Sequence, residues 1–274
     1  ALGGALAQFG LLAPFIGAAV ITTFSLIATL LFLDESLPAD KRVPATTRAT
    51  LPWRSWSGHL RNQTVVLLLS LTFIVNFTIA GLSAVFPLFA KAVVFTQLPE
   101  QAVARNVGFM MAYIGLSAVL SQLLLNRPMV NRFGEHNVML ISISMAFFST
   151  LGLSTLVNPW LLLILLTPAG IAYAIGIPSG EALLVRTATD HTRGQLIGLY
   201  NAMASLAYVL GPIIAGYLFD TFTPRSPFIF SMGLVILGLG LAFLLKSRTI
   251  QNKRLQERRQ RDRDRERETE TEVG

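Results

Sequence analysis

The sequence predicts an all-α membrane protein with seven complete transmembrane helices and part of an eighth. The 274-residue chain is 53% hydrophobic and 14% charged, with a mean hydropathy of +0.58, whereas about a quarter of the residues in a soluble domain are charged. Seven apolar segments are long enough to cross a bilayer. The charges also cluster, because residues 246–274 hold ten Lys/Arg and seven Asp/Glu, while the other 245 residues hold twelve and eight.

Each predicted span is an apolar run of roughly 20 residues, the length that crosses the hydrocarbon core. In chain order the spans are Leu11–Leu33, Val65–Ala90, Val107–Leu125, Val138–Val157, Trp160–Val185, Leu196–Phe219 and Phe228–Leu245. Residues 1–9 form an eighth apolar piece that is too short to span alone.

The connections between spans predict the orientation of the chain. Nineteen of the 22 Lys/Arg residues fall in segments 34–64, 126–137, 186–195 and 246–274, and the other three are Lys91, Arg105 and Arg225. Because Lys and Arg concentrate in cytoplasmic loops, we expect these four segments on the cytoplasmic side of a plasma (inner) membrane. The stretch "PWRSWSGHLRNQ" (52–63) predicts a short helix on the membrane surface, with a plain linker as the alternative.

The opening of the chain has an internal partner. "GPIIAGYLFDTFTPRSPF" (211–228) aligns with "ALGGALAQFGLLAPF" (1–15), and in both places an apolar span and a polar stop follow. Weak internal symmetry of helix sets is typical of secondary transporters. We therefore expect residues 1–33 to end one six-helix bundle, 34–64 to link the bundles, 65–245 to form a second bundle, and 246–274 to be a disordered charged tail. On this interpretation the chain is the carboxyl half of a twelve-span protein and begins within its fifth helix.

Four stretches resemble the major facilitator superfamily, and within it the drug:proton antiporters that include the tetracycline exporters. They are "ALGGALAQFG", "LFLDESLP", "RPMVNRFGEH" and "DHTRGQLIGLYNAMASLAYVLGPIIAGYLFD". The third departs from the family's Gly-x-x-x-Asp-Arg-x-Gly-Arg loop, since Arg127, Asn131 and Glu135 replace its leading glycine, its acidic residue and its final basic residue.

The resemblance implies a secondary transporter that exports small amphipathic compounds by alternating access, driven by protons. It implies as partners a small-molecule substrate, protons, the lipid bilayer and an amino-terminal half of the same protein. Within transport, the alternative is an importer or a sugar or metabolite porter. Outside transport, the alternatives are a non-transporting membrane scaffold or fragment, and an intramembrane enzyme, for which the spans hold no paired acids or Ser/His pair.

Polar and aromatic residues inside the spans are candidates for a substrate cavity. Because polar groups are costly in lipid, they normally face the protein interior, and a small-molecule site usually combines an apolar wall with a few polar contacts. The candidates are Phe73, Asn76, Phe77, Tyr113, Tyr173, Asn201 and Tyr208. The alternative role for each polar side chain is a hydrogen bond between helices.

Glycine and proline predict where helices bend or approach closely. Pro removes a helix hydrogen bond, and small residues let neighbouring backbones come together. The candidates for such positions are Pro168, Gly176, Pro178, Gly211, Pro212 and Gly216. We expect 160–185 to be kinked or locally open, and Gly211 and Ala215, four residues apart, to lie in a packing seam. Tight packing alone is the alternative.

The charged candidates lie near the predicted cytoplasmic ends of the spans. Glu181 lies clearly within a helix, and an isolated charge there is expensive, so we expect it to pair. A pair with Arg132 would lock one transport state, whereas a pair with Arg186 would be local and constant. Asp190 belongs to the same group of candidates. The spans hold no mid-membrane carboxylate that is an obvious proton carrier, so a coupling acid is expected outside this chain.

Metal, cofactor and nucleic-acid sites are not expected. The chain has no cysteine, and its three histidines are His59, His136 and His191, far apart in polar segments. The tail "KRLQERRQRDRDRERETETEVG" mixes both signs of charge, so its acids would repel phosphate. Its lack of an apolar face predicts a solvated segment.

Overall fold

The structure, a computed structural model, describes residues 12–33, 58–155, 158–188 and 192–273. These residues form eight α-helices, and one π-helical turn, Ala90–Val94, extends the second of them. The helices are α1 Ala13–Phe32, α2 Gln63–Phe89, α3 Glu100–Leu124, α4 Asn126–Phe133, α5 Glu135–Thr155, α6 Pro159–Arg186, α7 Arg193–Thr221 and α8 Ser226–Val273.

The seven predicted spans are confirmed. Seven helices in the described ranges are long and apolar enough to cross a membrane, and each overlaps one predicted span. The largest difference at a start is in α3, which begins at Glu100 rather than Val107. Residues 100–106, "EQAVARN", include two charged and two amide side chains and so fail an apolar-run criterion, but Glu100 in the first turn suits a helix start because acids are favoured there.

Local sequence signals explain how the spans begin. The Asn62 side chain accepts a hydrogen bond of 3.0 Å from the Thr64 N–H, and that of Asn158 accepts one of 2.9 Å from the Trp160 N–H. Each caps a helix whose first N–H groups have no partner within the helix. In α6, Pro159 follows the cap at a position where its missing N–H costs nothing.

Helix α2 is central to the six-helix bundle formed by α2, α3 and α5–α8. It packs chiefly against α7 and α8, while α5 packs against α6 and α8, and α3 packs against α6. Two large apolar clusters and a smaller one, around Val138 and Ile175, fill the bundle. One large cluster contains Val65, Leu184 and Leu245. The other is centred on Phe89 and Phe228, whose ring centroids are 4.6 Å apart.

Helix α1 differs from the bundle helices. None of the residues in its apolar window, Phe15–Phe32, is buried against the rest of the protein. Residues 1–11 and 34–57, where the sequence predicts a partial helix and most of the linker with its surface helix, lie outside the described residues.

The charged tail differs from the expectation. It is not a disordered segment in the structure, because α8 continues from the last span to Val273 as one helix. The sequence offers a physical reason, since Arg, Glu and Gln favour helix and opposite charges recur four residues apart, as at Glu257 and Arg261. The absence of an apolar face therefore did not predict the absence of a helix.

Candidate functional site

A cavity of about 280 Å³ lies inside the bundle, between α2, α3, α5, α6 and α8. Residues of both large apolar clusters line it, among them Phe86, Leu153 and Val235. Its hydroxyl-bearing lining residues are Thr78, Ser83, Ser142, Ser149, Thr150 and Tyr173. The cavity thus has an apolar wall and a few hydroxyl groups, the composition typical of a small-molecule pocket.

Most buried hydroxyls around the cavity are bonded to backbone carbonyls. Ser142 donates to the Ala172 carbonyl at 2.9 Å, and Ser149 donates to the Leu165 carbonyl at 2.8 Å. Both bonds run from α5 to α6, so they fasten one wall of the cavity. Thr78 differs, because its hydroxyl oxygen is buried and has no hydrogen-bond partner among the residues that the structure describes.

Tyr173 is the one sequence-predicted cavity residue that lines this space. Together with Ser83 of α2, which also lines the cavity, it forms a polar edge there. Tyr173 belongs to α6, which also contributes to a surface shared with α7.

That surface, the α6–α7 face, carries three further candidates. Glu181 and Asn201 are exposed, and Tyr208 is 50% exposed. Tyr200 connects the two helices, because its hydroxyl donates to the Ile177 carbonyl at 3.3 Å. The α6–α7 face thus presents a carboxylate, an amide and a phenol on membrane-spanning helices.

The other cavity candidates lie elsewhere. Asn76 is buried, but its side-chain amide donates to the Thr72 carbonyl of its own helix at 2.8 Å. Phe77 packs against Phe73 and Phe230, with ring-centroid distances of 5.7 and 6.2 Å. The Asn76 bond stays within α2, so it is not the hydrogen bond between helices that was the alternative, whereas Phe77 contacts α8 through Phe230.

Tyr113 also lies away from the cavity, at the edge between α3 and α6. Its hydroxyl is 2.7 Å from that of Thr167, and its side chain is exposed. In the structure it therefore joins two helices.

The ion pair between the end of α6 and the start of α5 is neither of the two pairs expected from the sequence. Arg186, at the end of α6, bonds to Glu135, at the start of α5, with an N–O distance of 2.8 Å. Arg132 lies over the ring of Phe133, 5.5 Å from its centroid. Glu181 forms no ion pair with another described residue, so the structure contains neither the Glu181–Arg132 pair nor the Glu181–Arg186 pair. Asp190 lies outside the described residues.

Glu135 is a residue that the sequence argument did not propose as a partner. The sequence did contain a sign of this role, because Glu135 replaces the basic residue that ends the family's loop motif. Glu135 is only 9% exposed and begins α5, while Arg186 ends α6. Each charge has the sign that its helix terminus favours, which supports the pair.

Among the glycine candidates, Gly211 and Gly176 lie at close helix crossings. A Cβ atom on Gly211 would lie 2.7 Å from the Phe77 carbonyl oxygen, and one on Gly176 would collide with the Ser142 side chain. Gly216 faces open space. Gly81, which faces Gly211 across the crossing, was not singled out from the sequence, because one glycine in an apolar span carries no sign of its neighbour.

The prolines do not interrupt their helices. Pro168 and Pro178 lie inside α6, which is assigned as one helix, and Pro212 lies inside α7. Helix α6 therefore has no local opening at 160–185, and a kink there, the other expected form, stays a prediction. Another interruption occurs where none was expected, as α2 passes Pro87 and ends in the π-helical turn, with the Phe95 N–H bonded to the Ala90 carbonyl at 2.7 Å.

The fold and these features define an integral, multi-pass membrane protein. The model of the Major Facilitator Superfamily matches residues 92–271. The chain belongs to this family.

The relatives include drug-resistance proteins. The chain is 29% identical over 215 residues to the class C tetracycline resistance protein of Escherichia coli, a match that covers 77% of this chain and 52% of the relative. It is 26% identical over 257 residues to multidrug resistance protein 2 of Bacillus subtilis, covering 90% of this chain and 60% of that protein. The chain thus spans about half the length of the relatives it matches.

A solved structure shows the same fold. The nucleoside transporter NupG superimposes with a TM-score of 0.61 at 18% identity, covering 90% of this chain and 62% of that one. At this identity the likeness concerns the fold alone.

Proposed function

We propose that the protein is part of a secondary active transporter that exports a small amphipathic solute by alternating access, coupled to protons. The observation that carries the proposal is the α6–α7 face. Glu181 and Asn201 are exposed there on helices that cross the membrane. Polar and charged side chains are expensive against lipid, so this face must adjoin water or other protein.

The occupant that we propose for this face is a second six-helix bundle. In transporters built from helix repeats, the substrate site lies near the bilayer midplane where two repeats meet. Asn201, Tyr208 and the edge at Tyr173 would then line one side of the substrate pathway. The length of the relatives is compatible with two bundles, and their names, tetracycline and multidrug resistance proteins, favour export of drug-like compounds.

Transport is tested in proteoliposomes with the full-length gene product and an imposed pH gradient, with tetracycline and ethidium as probes. We expect gradient-dependent movement of at least one probe, abolished by a proton ionophore. Asn201→Ala and Tyr208→Ala should each lower the rate, whereas Asn131→Ala, an exposed change outside the spans, should leave it unchanged. Movement that survives the ionophore would refute proton coupling, and movement of neither probe by folded protein would refute export of such compounds.

A second assay separates this chain from the whole pathway. Because one side of the substrate pathway would be missing, residues 1–274 alone should not transport in the same liposomes. Active transport by a monomer of these residues would contradict the two-bundle proposal.

Sidedness is tested separately with single cysteines. We propose that segments 34–64, 126–137, 186–195 and 246–274 face the cytoplasm, from the Lys/Arg distribution. A cysteine at Thr46 or Asn131 should react with a membrane-impermeant reagent only from the cytoplasmic side, and one at Gln97 only from outside. Labelling of Asn131 and Gln97 from the same side would contradict the proposed topology.

A further inference from the structure

We propose that the cavity inside the bundle is a binding site for a small, uncharged, amphipathic molecule of about two fused rings that carries one hydroxyl or carbonyl group. This site goes beyond the proposed transport function. It is formed by helices of this chain alone, whereas the proposed substrate pathway needs a second bundle. Its occupancy can therefore be measured without transport.

The volume of the cavity sets the size of the ligand. An apolar cavity of about 150 Å³ stays dry and binds one benzene ring. The cavity here measures about 280 Å³, roughly twice that volume. Two fused six-membered rings match this space better than one ring does, and a four-ring drug such as tetracycline exceeds it.

The lining residues set the polarity of the ligand. None of them is Asp, Glu, Lys, Arg or His, and the wall consists largely of aliphatic and aromatic side chains. A charge brought into this environment would lose its hydration without gaining an opposite charge, which is expensive. The site should therefore select against ionised molecules of the same shape.

Thr78 sets the position of the polar group. It is 6% exposed, lines the cavity, and has a buried hydroxyl oxygen without a partner in the described part of the chain. Thr72, on the same helix and 7% exposed, instead donates to the Leu68 carbonyl at 2.9 Å. A buried hydroxyl without a partner is costly, so a ligand that reaches Thr78 and supplies one gains affinity from it.

Ser83 and Tyr173 give the cavity a polar edge. Both line it, and Ser83 is exposed. An amphipathic molecule would enter between α2 and α6 there, with its apolar rings directed into the bundle.

Binding is tested with the purified 274-residue chain in detergent micelles and three probes of similar shape: β-naphthol, naphthalene and naphthalene sulfonate. The readout is saturable binding by equilibrium dialysis, supported by the ligand-dependent rise in the thermal midpoint of unfolding. We expect β-naphthol to bind most tightly, naphthalene more weakly, and the sulfonate without saturation.

Two pairs of variants locate the site. The double variant Ala118→Phe with Ala146→Phe adds two rings to the cavity, which both positions line, and should abolish saturable binding. Its control, Ala104→Phe with Ala202→Phe, changes exposed positions and should not abolish binding.

Thr78→Val should weaken β-naphthol about fivefold to tenfold, the effect of losing one hydrogen bond, and leave the affinity for naphthalene unchanged. Thr72→Val is the matched control and should change neither affinity.

These outcomes test the binding site independently of the transport assays. The proposal is overturned if β-naphthol binding does not saturate. It is also overturned if the folded variant with Ala118 and Ala146 replaced binds as well as the wild type. If that double variant does not fold, the threonine pair decides. A loss confined to Thr78→Val supports the site, and equal affinities in Thr78→Val and Thr72→Val overturn it.

Discussion

Two helix pairs in the bundle are held together in different ways. Helices α2 and α7 cross where Gly81 faces Gly211, and a Cβ atom on Gly81 would lie 3.0 Å from the Gly211 carbonyl oxygen. Helices α5 and α6 are instead joined by Ser142 and Ser149, whose hydroxyls donate to carbonyls across the interface. The first pair meets at two facing glycines, whereas the second combines a close glycine approach, Gly176 against Ser142, with two hydrogen bonds across the interface.

This difference matters because the two interfaces should respond to different changes. In lipid the hydrophobic effect does not drive helices together, so close packing and interhelical hydrogen bonds carry the association. A glycine crossing against backbone atoms cannot yield without moving a helix. A serine hydroxyl, in contrast, can be removed with little change in volume. The predictions below use this contrast, beginning with the largest expected effect.

Added volume at the α2–α7 crossing should have the largest effect. Gly211→Ala places a Cβ atom 2.7 Å from the Phe77 carbonyl oxygen, and such overpacking typically costs about 1–3 kcal/mol. The free energy of unfolding in mixed micelles measures the loss. Gly216→Ala, on the same helix but facing open space, is the control and should be neutral or slightly stabilising, because Ala favours helix over Gly.

Because Gly211 precedes Pro212, the facing glycine provides an independent check. Gly81→Ala meets the same crossing from α2 without a following proline and should also destabilise the protein. If Gly211→Ala and Gly216→Ala cost the same, the crossing does not depend on volume.

Removal of a hydroxyl from the α5–α6 pair should have a smaller effect. Ser142→Ala deletes the 2.9 Å bond to the Ala172 carbonyl, and interhelical hydrogen bonds in membrane proteins are worth about 0.6–1.7 kcal/mol. Ser144→Ala is the matched control, because Ser144 bonds to the Leu140 carbonyl of its own helix at 2.8 Å. Equal losses of unfolding free energy in the two variants would show that the bond across the interface adds nothing.

The ion pair at the ends of α5 and α6 should have the smallest effect. Arg186 is 72% exposed, and such pairs contribute about 0.2–1 kcal/mol. A double-mutant cycle with Glu135→Gln and Arg186→Gln measures the coupling, which should decrease as salt is added. A coupling energy of zero at low salt would show that Glu135 and Arg186 do not act as a pair.

Sequence reasoning succeeded for the spans and less well for the candidate site. The length and apolarity of a segment are sufficient to predict a membrane helix, so all seven spans were recovered. Tyr173 lines the main cavity, whereas Asn76 bonds to its own helix and Tyr113 to Thr167 of α6. A polar residue in a span must find a partner, and the sequence does not say whether that partner is its own backbone, another helix or a ligand.

The ion pairs show the same limit of sequence reasoning. The sequence argument expected Glu181 to pair with Arg132 or, locally, with Arg186. The structure pairs Arg186 with Glu135, 51 positions earlier in the chain, because the start of α5 meets the end of α6. Thr78, Ser142 and Gly81 likewise acquire their significance only from residues on other helices.

The sequence by itself determined that this protein crosses the membrane repeatedly, where its seven membrane spans lie, and that it resembles the Major Facilitator Superfamily. These properties depend on local apolarity and short motifs, which each segment carries without its neighbours. The tertiary structure decided which helices touch, where about 280 Å³ of space remains between them, and which hydroxyl has no partner among the described residues. Those properties depend on side-chain volumes and distances between segments far apart in the chain, and they exist only once the helices have packed.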